Sequence, residues 1–265
     1  MKVYLLSIEE LQKRADAGAN VQVLYEKCLK KMDTHRLEKV RRLKAENARN
    51  LAVGAGLLLQ LAWADCVDTE MPGIQRENIQ HTKAQEHGKQ TGKFEIAIVT
   101  LKLSDLLQWL ASDCFPVEIP YQYGDKGKPD FAKGDYHFNL SHSGDYVCLA
   151  VDKQQIGIDI QKMRPLEDLK VAERFFTIRE QEALRACADK QTQELLFYSI
   201  WVKKEAYAKL TGDGIGTGVK AETLTEEFMT AEMVPEAAQM CGKIVWNMLQ
   251  SPAGYRMAAC QFRDK

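Results

Sequence analysis

Two stretches carry the residues whose types and spacing could do chemistry. The first is Gly157-Ile158-Asp159-Ile160 and the second is Trp201-Val202-Lys203-Lys204-Glu205-Ala206-Tyr207-Ala208-Lys209. In the first, Ile156, Ile158 and Ile160 alternate with Gly157 and Asp159. That period predicts a strand with one apolar face and Asp159 pointing the other way. The second predicts a helix on which Glu205 and Lys209, four apart, lie one above the other. A strand carboxylate, a helix carboxylate and a lysine one turn on can hold a hard cation over phosphate oxygens. Taken singly, each has an ordinary reading. Asp159 reads as a strand-end aspartate in solvent, and Glu205 with Lys209 as a surface pair worth only about 0.3–0.5 kcal/mol. Together they point to chemistry on a diphosphate.

Anion-binding candidates lie upstream. Phe138-Asn139-Leu140-Ser141-His142-Ser143-Gly144 follows a strand pattern and ends in a turn; serine hydroxyls, turn amides and a histidine suit a phosphate cradle. Adjacent Ser141 and His142 point in different directions on an extended chain, so they do not form a nucleophile and its base. The string is also not a GxSxG elbow. Arg36, Lys39, Arg41, Arg42 and Lys44 form a basic stretch with Leu37, Val40 and Leu43 spaced by three. Gly212 to Gly218 is glycine-rich but lacks the lysine of a P-loop and follows a helix pattern, so it reads as a helix stop and loop.

Bulk properties bound what these residues can serve. The chain has 265 residues, with 36 lysines plus arginines against 37 aspartates plus glutamates. With charge so nearly balanced, nothing drives the whole molecule toward nucleic acid or an acidic membrane, and local clusters must carry any anion binding. The apolar run at Met1–Ser7 is too short for a signal peptide, and Leu51 to Ala64 is too short to span a bilayer. A soluble cytoplasmic protein without nucleic-acid or membrane partners is expected. The seven cysteines are scattered without a CxxC pair, and the five histidines without HxxxH. Free thiols are expected, and no zinc site.

The elements that must position these residues alternate in type. Met1–Ser7 predicts a strand, with Ser7 and Glu10 as a capping box for a helix that Gly18-Ala19-Asn20 ends. A second helix is expected from Val21 to Met32 and a long buried helix from Asn47 to Ala64. Residues 65–93 are polar and read as an insertion. A strand is expected over Phe94–Leu101, a short helix over Ser104–Leu110 and a loop over Gly124–Asp135. Tyr136–Leu140 and Tyr146–Val151 predict strands, and the Asp152-Lys153-Gln154 turn predicts a hairpin into Ile156–Ile160. Helices follow over Leu169–Phe176, Arg179–Ala188 and Thr192–Leu210, then a final hairpin of Ile244–Leu249 with Tyr255–Phe262. The expected class is α/β (α+β) with two similar halves, 1–153 and 154–265, and the long helices at 47–64 and 192–210 are candidate equivalents whose residue identity is too weak to prove a repeat.

Gly127-Lys128-Pro129, the SHSG string, Gly157 to Ile160, Arg174-Phe175-Phe176-Thr177 with Glu180, and Trp201 to Lys209 occur in this order, and Gly254 to Cys260 closes the set. The set resembles the 4′-phosphopantetheinyl transferases of the surfactin-synthetase-activating type. The resemblance covers most of the chain, with Asp65 to Tyr121 poorly matched. It implies a pseudo-symmetric monomer with coenzyme A between two α/β halves. It implies magnesium-dependent transfer of the 4′-phosphopantetheine arm of coenzyme A to a serine of an apo acyl- or peptidyl-carrier protein, releasing 3′,5′-ADP. On the matched positions, Asp159 and Glu205 would hold magnesium, Lys209 would touch the diphosphate, and Arg36, Lys39, Lys128, Ser141 and His142 would hold coenzyme A. Asp159, Glu205 and Lys209 would carry catalysis, with Glu205 as candidate base. One position departs: where the type has GIDIE, this chain has Gln161, whose amide oxygen can accept a metal bond without adding charge. Two other readings remain open here, a different magnesium-dependent phosphoryl transferase or hydrolase, and a non-catalytic coenzyme A or carrier-protein binding module.

Overall fold

A computed structural model describes residues 1–12, 19–67, 79–80, 96–111, 113–214, 238–241 and 244–262. Most of the 65–93 insertion and residues 215–218 of the glycine-rich loop lie outside them.

The first sheet is built from β1 (Lys2–Ser7), β2 (Ile79–Gln80), β3 (Ala97–Leu101), β6 (His137–Ser143) and β7 (Tyr146–Asp152), in the order β2-β3-β1-β7-β6. A separate two-stranded ribbon pairs β4 (Tyr121–Tyr123) with β5 (Pro129–Phe131). The second sheet holds β8 (Ile156–Lys162), β9 (Ala238–Cys241), β10 (Ile244–Leu249) and β11 (Tyr255–Phe262), in the order β8-β11-β10-β9. The helices are α1 (Glu9–Gln12), α2 (Ala19–Leu29), α3 (Thr34–Arg42), α4 (Glu46–Cys66), α5 (Leu103–Trp109), α6 (Lys170–Phe175), α7 (Ile178–Arg185) and α8 (Lys190–Thr211).

The two sheets repeat one arrangement. An opening strand (β1 or β8) pairs antiparallel with the last strand of a hairpin (β6–β7 or β10–β11), and a long helix (α4 or α8) packs on that pair. Strand alternation sorts the cores. On β1, Tyr4 and Leu6 pack under α4 with Leu57, Leu58 and Leu61, while Val3 and Leu5 face the second sheet. Ile156, Ile158 and Ile160 meet that face, so a single apolar layer joins the sheets, as their spacing requires. Each such buried side chain contributes about 1.5–3 kcal/mol.

Four expectations are corrected. Asp152 to Gln155 does not make a hairpin: β8 leaves the first sheet and pairs with β11 instead. It runs alongside β6, another sheet edge, with no backbone ladder between them. Ile158, Ile160 and Lys162 donate their amides to Asn139 Oδ1 (2.9 Å), Ser141 Oγ (3.3 Å) and Ser143 Oγ (3.0 Å). Side-chain oxygens thus satisfy an edge that would otherwise present bare amides. Second, Ser141, His142 and Ser143 lie inside β6, so their amides face a strand and not a turn cradle. Third, Gly124–Asp135 contains β5, too short to read through its glycines. Fourth, Ala19 and Asn20 open α2 and do not end a helix. Among the described residues no helix is long and apolar enough to cross a membrane, and Cys28, Cys66, Cys114, Cys148, Cys187 and Cys260 are free thiols.

Candidate active site

Asp159 leaves β8 on the face opposite the isoleucines, where α8 covers it. Gly157 makes this possible: a Cβ there would sit 1.9 Å from the Ala206 carbonyl oxygen, so only glycine lets helix and strand approach so closely. Asp159 is 4% exposed. Its Oδ1 accepts from Lys209 Nζ at 2.6 Å and from Ser141 Oγ at 2.6 Å, and Lys209 also donates to Ser141 Oγ at 2.7 Å. Glu205 lies one turn before Lys209 and is half-buried. Burial first, then the charge of Asp159, push its carboxyl up to about 7 against the pull of Lys209. Gln161 is half-buried, two residues beyond Asp159 on the strand.

The residues fit a hard cation. Asp159 Oδ2 is buried and has no hydrogen-bond partner, which is costly for a carboxylate oxygen. A second carboxyl stands close enough to feel its charge. No group of three or more His, Cys, Asp or Glu side chains gathers for a metal among the described residues. Two carboxylates with room for substrate phosphates suit magnesium better than a closed protein cage would.

Lys209 also lines a cleft of about 720 Å³. Its walls carry Arg36 and Lys39 from α3, His142 from β6, and Lys126 and Lys128 from the β4–β5 loop, with no aspartate or glutamate among the described residues. The chain's near-neutral balance is thus broken locally, as its anion-binding candidates require. Asp33 caps α3 by accepting from the Arg36 amide at 3.0 Å, which turns Arg36 and Lys39 to one side. Arg36 is buried, stands 5.6 Å over the Tyr121 ring and keeps Nε without a partner. Burial and the Arg36 charge hold the Lys39 ammonium below its ordinary value. His142 is open to the cleft, yet surrounding protein, Lys209 and Lys39 hold its imidazole below its usual range. These groups lower one another's proton affinity, as neighbouring cations do.

Two expected coenzyme A residues are turned elsewhere. Lys128 lines the cleft, but its ammonium donates to Gln155 Oε1 (3.0 Å), the Ile156 carbonyl (3.1 Å) and the Leu210 carbonyl (3.2 Å). Those bonds tie the β5 ribbon to the start of β8 and the end of α8. Ser141 is 4% exposed and faces Asp159. Sequence reasoning named Asn139, Ser143 and Gly157 only as members of their motifs and missed that they join β6, β8 and α8. The polar alternation Asn139, Ser141, Ser143 along a strand was the available signal.

Residues 155–260 match the family model of the 4′-phosphopantetheinyl transferase superfamily. The matched range holds Asp159, Gln161, Glu205 and Lys209; Arg36, Lys39, Lys128, Ser141 and His142 fall before it. The 4′-phosphopantetheinyl transferase psf-1 of Bacillus pumilus is 40% identical over 147 residues, 54% of this chain and 60% of that protein. HetI of Nostoc sp., also named a 4′-phosphopantetheinyl transferase, is 39% identical over 141 residues, 51% of this chain and 56% of its own. Sfp of Bacillus subtilis, of the same name, is 36% identical over 141 residues, 52% of this chain and 60% of its own. The matches span between half and two thirds of these relatives' length.

Proposed function

We propose that this protein transfers the 4′-phosphopantetheine arm of coenzyme A to a serine of an apo acyl- or peptidyl-carrier protein, with magnesium, releasing 3′,5′-ADP. The observation that carries the reading is Lys209, which belongs at once to the carboxylate cluster and to the cationic cleft. A ligand with a diphosphate at one end and a further phosphate at the other matches that layout. Arg36, Lys39 and His142 bind the 3′-phosphate by charge and hydrogen bonding. Lys209 takes the diphosphate, having an N–H beyond those given to Ser141 and Asp159.

Asp159 and Glu205 would hold magnesium, which supplies charge neutralisation at the phosphate oxygens. Glu205 receives the carrier serine's proton through its oxygen not given to the metal, directly or through a water. The cleft fixes the donor so that the serine oxygen meets phosphorus in line with the departing ADP oxygen. The chain acts as a monomer in this reading.

Incubation with coenzyme A, magnesium and an apo-carrier protein tests the proposal. The carrier gains the mass of the phosphopantetheine arm. Coenzyme A breakdown without carrier would instead mark a hydrolase, and binding without turnover a non-catalytic module.

A further inference from the structure

Ser141 has no capacity left for a phosphate. A hydroxyl offers one proton and two lone pairs. Both Lys209 Nζ, at 2.7 Å, and the Ile160 amide, at 3.3 Å, can only donate to it. The hydroxyl proton therefore goes to Asp159 Oδ1, at 2.6 Å, a length typical of a charge-assisted O–H···O⁻ bond. The residue is 4% exposed and its neighbour His142, on the opposite face of β6, is the one open to the cleft.

We propose that Ser141 is a positioning residue that fixes the rotation of the Asp159 carboxylate so that Oδ2 is presented to the metal ion. This rests on the magnesium-dependent reading above. Serine and lysine both converge on Oδ1, and Oδ2 alone is left buried without a partner. A carboxylate held at one oxygen cannot turn its bare oxygen away from the cation. The Ile160 amide closes the arrangement, because it ties the same hydroxyl to the strand that carries Asp159. Ser141 thus belongs to the metal's surroundings and not to the coenzyme A phosphate cradle that a serine in this motif otherwise invites.

Ser143 supplies an internal control. It makes the equivalent bond to β8, from the Lys162 amide at 3.0 Å, in the same strand but away from Asp159. Two quantities separate the roles. One is Mn²⁺ affinity, read from the free-ion electron paramagnetic resonance signal with the full chain and equimolar coenzyme A. The other is coenzyme A affinity in EDTA, read by calorimetry. Hydrogen-bond partners of metal ligands typically influence affinity by about 10–100-fold. Ser141→Ala is therefore expected to weaken Mn²⁺ binding by about tenfold or more and to leave metal-free coenzyme A affinity unchanged. Ser143→Ala is expected to match wild type in both. Superimposed Mn²⁺ titrations of wild type and Ser141→Ala would overturn the proposal. So would equal Mn²⁺ losses in both variants, which would mark mere strand support, or a selective loss of coenzyme A affinity in EDTA, which would mark a phosphate ligand. Wild type that binds no Mn²⁺ would remove the metal reading itself, a result distinct from all of these. Failure of carrier modification leaves the metal comparison intact.

Discussion

Arg36 and Lys39 stand three residues apart on α3 in a cleft wall that carries no carboxylate among the described residues, and a phosphate is the group that would relieve them. A charge-assisted bond to phosphate typically contributes about 1.5–3 kcal/mol, at least about tenfold in affinity. Lys39→Ala is expected to raise KM for coenzyme A about tenfold and to affect kcat less, because this phosphate is remote from the reacting bond. Dephospho-coenzyme A, which lacks the group, should serve wild type and variant alike; an equal loss with both substrates would place Lys39 elsewhere. His142 gives a pH signature. The fold favours its neutral form, so the free protein binds fewer protons there than an unfolded chain does below the ordinary value of 6.5. Its contribution to stability is present above that value and is lost as pH falls through the depressed one. A bound phosphate favours the cation, so coenzyme A binding at about pH 6 should take up a proton. Calorimetry in two buffers of different ionisation enthalpy reads the uptake, and His142→Gln should abolish it. Buffer-independent heats for wild type would contradict this. Asp159, Glu205 and Lys209 were legible because period and spacing put Asp159 on a strand and Glu205 with Lys209 on one helix face, and the family resemblance put strand and helix side by side. The role of Ser141 was not, because it depends on a strand nineteen residues away in sequence that pairs through side chains.

At the scale of elements, the site depends on how closely α8 lies on β8. Gly157→Ala would drive a Cβ into the Ala206 carbonyl and toward the Leu210 amide, both backbone atoms of α8 that cannot step aside alone. Overpacking of this kind typically costs about 1–3 kcal/mol. The variant should melt earlier in urea and lose transfer rate beyond its loss of folded protein, since the helix carries Lys209 away from Asp159. Unchanged kinetics would mean the helix position is not what sets the site. A second anchor is the Lys204–Glu180 pair at 2.8 Å, with side chains only 1% and 0% exposed. Glu180 also completes a capping box with Thr177 at the start of α7. Removing one member of a buried pair costs about 3–5 kcal/mol, whereas an exposed pair such as Arg42–Glu38 contributes about 0–1. Glu180→Ala should therefore lower unfolding free energy by several kcal/mol in a denaturant melt, and Glu38→Ala should barely change it. The helices and the last hairpin could be read from period and punctuation. The β7-to-β8 passage could not, because a short turn between two apolar strands looks the same whether the strands pair or part.

On the scale of the whole molecule, two sheets of one design meet edge to edge and face to face, and every candidate residue lies at or near that junction. The first sheet's side supplies Arg36, Lys39, Ser141 and His142; the second supplies Asp159, Glu205 and Lys209. Lys128 crosses the junction to bind the Leu210 carbonyl, and Lys126 pairs with Asp213 at the cleft rim. The repetition of strand order was only hinted at in the sequence, since it resides in pairing and not in residue identity. In the proposed function, this junction moves the phosphopantetheine arm by means of the Asp159 carboxylate. Mass spectrometry of an apo-carrier protein, after reaction with coenzyme A and saturating magnesium, tests it most directly when wild type is compared with Asp159→Asn. Wild type is expected to add the arm to the carrier, and Asp159→Asn is expected to bind coenzyme A but leave the carrier unmodified. An unmodified carrier with wild type, or near-normal transfer by the variant, would contradict it.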